Sequence, residues 1–294
     1  MQAQFHGIIA YPVTPFAADG SPALDQLAKL IDKLVADGVH AIAPLGSTGE
    51  SAYLSDAEWD AVAATALATV AKRLPVVVSI SDLTTRNAIR RAQFAERHGA
   101  DAVMVLPVAY WKLSADEIFA HYAAIAQAIS IPIMLYNNPG TTGIDMPPEL
   151  IVRIVKEIDN VTMVKESSGD IQRMNRLMQL GRGDIAFYNG SNPLAFAALT
   201  AGATGWCTAA PNLHAALPLA LYRAVREGDL AAARACFLQQ LPLLQFIVKG
   251  GLPTTVKAGL RLLDFDAGLP RLPLQALPAA AEQELRQILA ALPA

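Results

Sequence analysis

Residues 131–136 read Ile-Pro-Ile-Met-Leu-Tyr, and residues 161–165 read Val-Thr-Met-Val-Lys. Between them lie a turn-forming cluster, Tyr136-Asn137-Asn138-Pro139-Gly140, and a stretch of helical period, Pro147–Ile158. A near-continuous apolar run is buried on both faces, which marks a strand inside a parallel sheet. Two such runs joined by a helix read as one βαβ unit. The alternation extends both ways. Gly7–Val13, Ala41–Leu45, Val76–Ile80 and Ala102–Leu106 precede this unit, and Ile185–Tyr188 and Ala203–Trp206 follow it. Helical stretches fall between them at Asp56–Lys72, Thr84–His98, Ala115–Ala128 and Ile171–Leu180, with Asp56 and Ser114 as N-caps and Gly99 as a C-cap.

Eight units predict an α/β fold, a (β/α)₈ TIM barrel over residues 1–212 that carries the active site. A doubly wound open sheet is the competitor, but no GxGxxG follows the first run. Beyond it the chain stays helical: Leu213–Glu227, Asp229–Val248, Pro253–Leu263 and Leu274–Leu292. Residues 213–294 are therefore expected as C-terminal helices packed on the barrel.

The 294 residues are 53% hydrophobic and 17% charged, enough for a large core. A net charge of −3 without a basic patch excludes a nucleic-acid binder. Two cysteines, Cys207 and Cys236, make no disulfide framework, and a reducing, cytoplasmic compartment fits. The opening MQAQFHGIIAYPVTPF lacks a cationic start and is broken by Pro12, so neither a signal peptide nor a membrane span is expected. The five histidines are scattered without metal-ligand spacing, and no metal is expected.

Barrel active sites sit at the C-terminal strand ends. Lys165, one of eight lysines, ends an apolar run there. Desolvation favours a neutral, nucleophilic amine, the starting point of Schiff-base chemistry. The competing reading is a structural lysine paired with Glu166 or Glu50. The other seven lysines fall on predicted helices or loops and are expected to face solvent. Tyr136 ends another run, and a phenol there can move protons. Gly46-Ser47-Thr48-Gly49-Glu50-Ser51 sets two hydroxyls between glycines, a pattern suited to a carboxylate. Gly190-Ser191-Asn192 and Gly202–Gly205 occupy positions where many barrels hold a phosphate.

Together these pieces resemble the dihydrodipicolinate synthase and N-acetylneuraminate lyase superfamily of class I aldolases. The resemblance runs from Pro12-Val-Thr-Pro-Phe16 through Gly46–Ser51, Tyr136-Asn137-x-Pro139, Lys165-Glu-Ser-Ser-Gly169 and Asn189-Gly190 into the helical tail. It implies the same barrel with a helical extension. It also implies a lyase working through a Schiff base on pyruvate or a related 2-oxo acid, with no cofactor. By position, Lys165 looks like the Schiff-base lysine and Tyr136 like the proton shuttle. Ser47 and Thr48 look like the carboxylate-binding pair, with Thr48 relaying a proton. Gly190 and Cys207 would line the pyruvate pocket, and Ser167 the outer pocket. Tyr110 resembles a tyrosine that crosses a subunit interface to complete the relay, although its loop is one residue longer. A homotetramer built from dimers is implied.

Two departures bear on the substrate. Synthases of this type usually carry an arginine where Thr141 stands, which argues against a second anionic substrate gripped by a guanidinium fork. Neuraminate lyases carry acidic residues where this chain reads Ser191-Asn192-Pro193, which argues against sialic acid. Three other readings stay open: a true 4-hydroxy-tetrahydrodipicolinate synthase, a phosphate-binding barrel isomerase, and a non-catalytic 2-oxo acid sensor.

Overall fold

The structure, a computed structural model, describes residues 5–293. Residues 1–4 of the opening segment, and residue 294 of the expected tail, lie outside the described residues. The eight strands are β1 Gly7–Ala10, β2 Ala41–Ile42, β3 Val77–Ser79, β4 Ala102–Val105, β5 Ile133–Asn137, β6 Val161–Glu166, β7 Ala186–Asn189 and β8 Gly205–Thr208. All pair in parallel, in the order β2-β1-β8-β7-β6-β5-β4-β3. A single bridge between Ile42 and Val76 joins β2 to β3, with Ser79 N donating to Pro44 O at 3.2 Å. The sheet thus closes on itself, as the alternation predicted.

The helices are α1 Leu24–Ala36, α2 Asp56–Val70, α3 Thr85–Arg97, α4 Ala115–Gln127, α5 Pro139–Thr142, α6 Pro148–Glu157, α7 Ile171–Gly181, α8 Ala195–Thr200, α9 Ala216–Glu227, α10 Leu230–Gly250, α11 Leu252–Leu262 and α12 Ala279–Ala290. Ser114 caps α4 as expected, in a capping box with Glu117. The cap of α2 is Ser55 rather than Asp56, because Ser55 Oγ accepts from Glu58 N while the Glu58 carboxylate accepts from Ser55 N. Gly99 stands one residue beyond the C-cap His98, at φ +86°. The last helix begins at residue 279, not 274, because Pro273 and Pro278 interrupt the stretch before it. Strand β8 runs two residues later than the apolar run suggested, and takes in the polar-ended Cys207 and Thr208.

Strand side chains alternate between two sides. One set packs against the helices in the larger core, including Ile8, Val103, Leu135, Val164 and Trp206. The other fills the barrel: Ile9, Tyr11, Val77, Met104, Met134, Tyr136, Met163, Tyr188 and Cys207. Lys165 follows Met163 by two residues and so points inward at the barrel mouth. Helix α10 is long and apolar enough to cross a membrane by length and composition alone. Pro242 lies inside it, and its face bearing Ala233, Leu243, Leu244, Phe246 and Ile247 is buried in the core.

Candidate active site

Register builds the site. Tyr136 on β5 pairs with Lys165 on β6, which pairs with Tyr188 on β7. Tyr136 and Lys165 share a phase, so both side chains enter the barrel side by side. The Lys165 Nζ lies 3.7 Å from the Tyr136 ring centre and 4.0 Å from that of Tyr11 on the segment after β1. Lys165 is 5% exposed. Glu166, one residue on, faces the other way. Its carboxylate accepts from Asn137 Nδ2 at 3.1 Å and from Ser168 N at 2.6 Å, with Arg173 Nε at 3.7 Å.

Glu50 is also taken. Its Oε1 meets Lys257 Nζ at 2.6 Å, and its Oε2 accepts from Arg271 N at 2.7 Å. Among the described residues, Lys165 therefore has no carboxylate partner. The structural reading of Lys165 loses the two groups it needed. The same contacts correct another expectation: Lys257 does not face solvent but is buried, with its ammonium 3.9 Å from the Phe16 ring centre. Burial pulls Lys257 down to about 8, and the Glu50 charge opposes that fall.

The segment after β2 turns sharply through Ser47–Gly49, and Glu50 takes a left-handed conformation at φ +57°. Thr14 Oγ1 donates to Gly49 O at 2.7 Å and pins the turn to the segment after β1. Thr48 is buried and Ser47 half-buried, both facing a cavity of about 430 Å³. Lys165, Tyr136, Ser167, Gly190, Cys207 and Thr141 line the same cavity. Gly190 is required for space: a Cβ there would lie 2.9 Å from Lys165 Cε and would overlap Ser167 Oγ. That buried hydroxyl has no hydrogen-bond partner among the described residues, and Ser167 lines the cavity. Burial pushes the Cys207 thiol up, partly offset by the neighbouring Lys165 charge, so Cys207 is a neutral wall.

Tyr110 is not brought to the cavity of its own chain. It is 95% exposed, beside Trp111 at 80%, and lines a separate surface hollow with Ile144 and Leu150. Sequence reasoning missed Tyr11, whose ring forms part of the cavity wall. Strand period could have found it, because Tyr11 follows inward-facing Ile9 by two. It also missed Asn138, whose Nδ2 donates to Tyr136 Oη at 2.7 Å. Val248, Gly251 and Leu252 of the helical tail close one side. A second hollow of about 840 Å³ continues outward, sharing Ser47, Tyr136, Thr141 and Leu252.

A closed parallel barrel with a buried, carboxylate-free lysine at its mouth, beside a phenol and two loop hydroxyls, defines the Schiff-base class of barrel enzymes. The chain belongs to the dihydrodipicolinate synthetase family, whose model matches residues 4–292. It is 35% identical over 288 residues to the 4-hydroxy-tetrahydrodipicolinate synthase of Archaeoglobus fulgidus, covering 98% of each chain. A crystal structure assigned to a dihydrodipicolinate synthetase from Pseudomonas aeruginosa superposes with a TM-score of 0.97 at 61% identity, covering 98% of this chain and 99% of that one. YagE of the same family, from E. coli K12 in complex with pyruvate, gives a TM-score of 0.92 at 28% identity, with 98% of each chain covered. The chain is thus an enzyme, a lyase of the aldolase type acting on a small-molecule substrate. Family membership decides for this class over the phosphate-binding isomerase and the non-catalytic sensor.

Proposed function

We propose that Lys165 forms a Schiff base with pyruvate or a closely related 2-oxo acid, and that the resulting iminium drives bond cleavage, condensation or dehydration. The observation that carries this reading is Lys165 itself: buried, without a carboxylate partner among the described residues, and facing one cavity with Ser47 and Thr48. Their hydroxyls, with the turn's backbone N–H groups, receive the substrate carboxylate. The uncharged amine attacks the ketone, and water leaves. Tyr136 moves protons to and from the reacting atoms, with Thr48 relaying. Gly190 and Cys207 bound the pyruvate pocket, and Ser167 and Thr141 face the outer part of the substrate. The iminium polarises the adjacent carbon, which is the step a metal would otherwise perform.

Among the described residues, Lys165 is the one basic side chain lining this cavity, and the Schiff base takes it. A second substrate carboxylate finds no other basic side chain in this cavity, and Arg91 in the outer hollow is already paired with Asp56 and Asp82, so the remainder of the substrate is read as neutral. The relatives named as synthases favour a second reading, a true 4-hydroxy-tetrahydrodipicolinate synthase. We further read the enzyme as cytoplasmic, with its two cysteines free, and as a tetramer built from dimers. In that assembly the exposed Tyr110 would reach the relay of a neighbouring subunit, and light scattering is expected to give about four times the 31.2 kDa chain mass. A monomer with full activity removes Tyr110 from the relay.

The decisive experiment is borohydride reduction in the presence of pyruvate, followed by peptide mapping. The expected result is a reduced pyruvyl adduct on Lys165, absent in Lys165→Ala. No adduct with any 2-oxo acid of a panel ends this reading. Offering the pyruvate-loaded enzyme aldehydes with and without a carboxylate separates the two substrates. Turnover confined to the anionic aldehyde establishes the synthase.

A further inference from the structure

Two aromatic rings face the Lys165 nitrogen, those of Tyr136 and Tyr11. We infer that Tyr11 is a positioning residue whose ring face, rather than its hydroxyl, holds the cation that forms on the Lys165 nitrogen. This rests on the Schiff-base reading above.

When the amine adds to a 2-oxo acid, a carbon–nitrogen bond forms. The ketone oxygen takes one proton from the nitrogen and one from the relay, and leaves as water. The nitrogen keeps its other hydrogen and carries a positive charge. No carboxylate stands beside it among the described residues. Besides the substrate's own carboxylate, the described groups that meet this charge are the Tyr11 ring, its centre 4.0 Å from Nζ, and the Tyr136 ring at 3.7 Å. An aromatic face attracts a cation most strongly where water is excluded, and Tyr11 is 3% exposed.

The ring is held in place from several directions. Tyr11 N donates to Thr208 O at 3.0 Å, and Tyr11 O accepts from Asn212 Nδ2 at 2.8 Å. Its hydroxyl donates to Met104 Sδ at 3.2 Å, deep in the barrel. Gly46 makes room for the ring's near edge, since a Cβ there would lie 2.8 Å from Tyr11 Cδ1. The phenol is poorly placed to serve as an acid or base. Its proton is held among buried sulfur atoms, those of Met104 and Cys207, and burial keeps the phenol well above its usual range. The ring face is what Lys165 touches.

The test measures trapping of pyruvate on Lys165 by cyanoborohydride in wild type, Tyr11→Phe, Tyr11→Leu and Tyr11→Met. Two aliphatic replacements are used so that either one that folds gives the answer. Each should raise the pyruvate concentration needed for half-maximal trapping about tenfold, the scale of one lost cation–π contact. Tyr11→Phe should restore trapping to within about twofold of wild type. Lactate offers a carboxylate but no ketone, and its competition against pyruvate should hold its inhibition constant in all four proteins. A merely structural role would weaken lactate and pyruvate together, and that result overturns the proposal. So does Tyr11→Phe behaving like Tyr11→Leu, or an aliphatic variant trapping like wild type. A wild-type enzyme that fails to trap sinks the Lys165 reading, and this one with it; a wild type that traps beside an unaffected Tyr11→Leu sinks only this one.

Discussion

Gly190 shows how little space surrounds the lysine. The position faces Lys165 Cε and Ser167 Oγ so closely that even a methyl group must displace one of them. Overpacking of this kind costs about 1–3 kcal/mol in a well-packed site. Its larger effect is to move the amine. Small displacements of a reacting group cost on the order of 100-fold in rate. Gly190→Ala is therefore expected to fold with a modestly lower melting temperature while losing roughly that factor in turnover. Thermal melting and steady-state kinetics measured together check this. Turnover near wild type means that Lys165 has freedom the packing denies it. Around the same residue, sequence and structure agree for a simple reason: the inward positions Met163 and Lys165 are two apart on one strand, and that phase is local.

At the scale of elements, the carboxylate turn is tied to the helical tail by a buried ion pair. Glu50 closes the turn after β2, and Lys257 reaches it from α11 at 2.6 Å. Removing one partner of a buried pair leaves an uncompensated charge and costs about 3–5 kcal/mol. Lys257→Met is expected to lose stability of that order in urea unfolding, and to raise KM for the 2-oxo acid as Ser47 and Thr48 lose their support. Lys257→Met combined with Glu50→Gln should recover part of the lost stability, because the stranded charge is gone. If the single variant is as stable as wild type, the pair does not anchor the turn. This link was illegible in the sequence. Lys257 lies on a helix that reads as amphipathic, and only its packing against Phe16 and Glu50 turns it inward.

Across the whole molecule, Arg271 draws the segment before α12 onto the barrel. Its guanidinium binds both Glu58 oxygens at 2.8 Å, and it also contacts Tyr53 O and Gly20 O. The Arg271 hydrogen bond lowers Glu58 from 4.5 to about 2. A carboxylate lowered on folding makes the unfolded chain the stronger proton binder between those values. Its stabilisation is therefore complete above about 4.5 and is lost as pH falls towards about 2. Denaturant unfolding should show stability declining through that window, with a shallower decline in Arg271→Gln. An unchanged slope in the variant would show that other carboxylates govern acid unfolding.

The sequence by itself determined the barrel, the helical tail, the strand ends that carry Lys165 and Tyr136, and the turn after β2 that carries Ser47 and Thr48. Those features follow from periodicity and from turn chemistry, which neighbouring residues set among themselves. Only the tertiary structure decided which groups meet across the closed sheet. It put Tyr11 against Lys165, gave Glu50 to Lys257 instead of to Lys165, and left Tyr110 on the outside of its own chain. Such meetings depend on barrel closure and on the packing of the tail, which join residues far apart along the chain and leave no mark in local patterns.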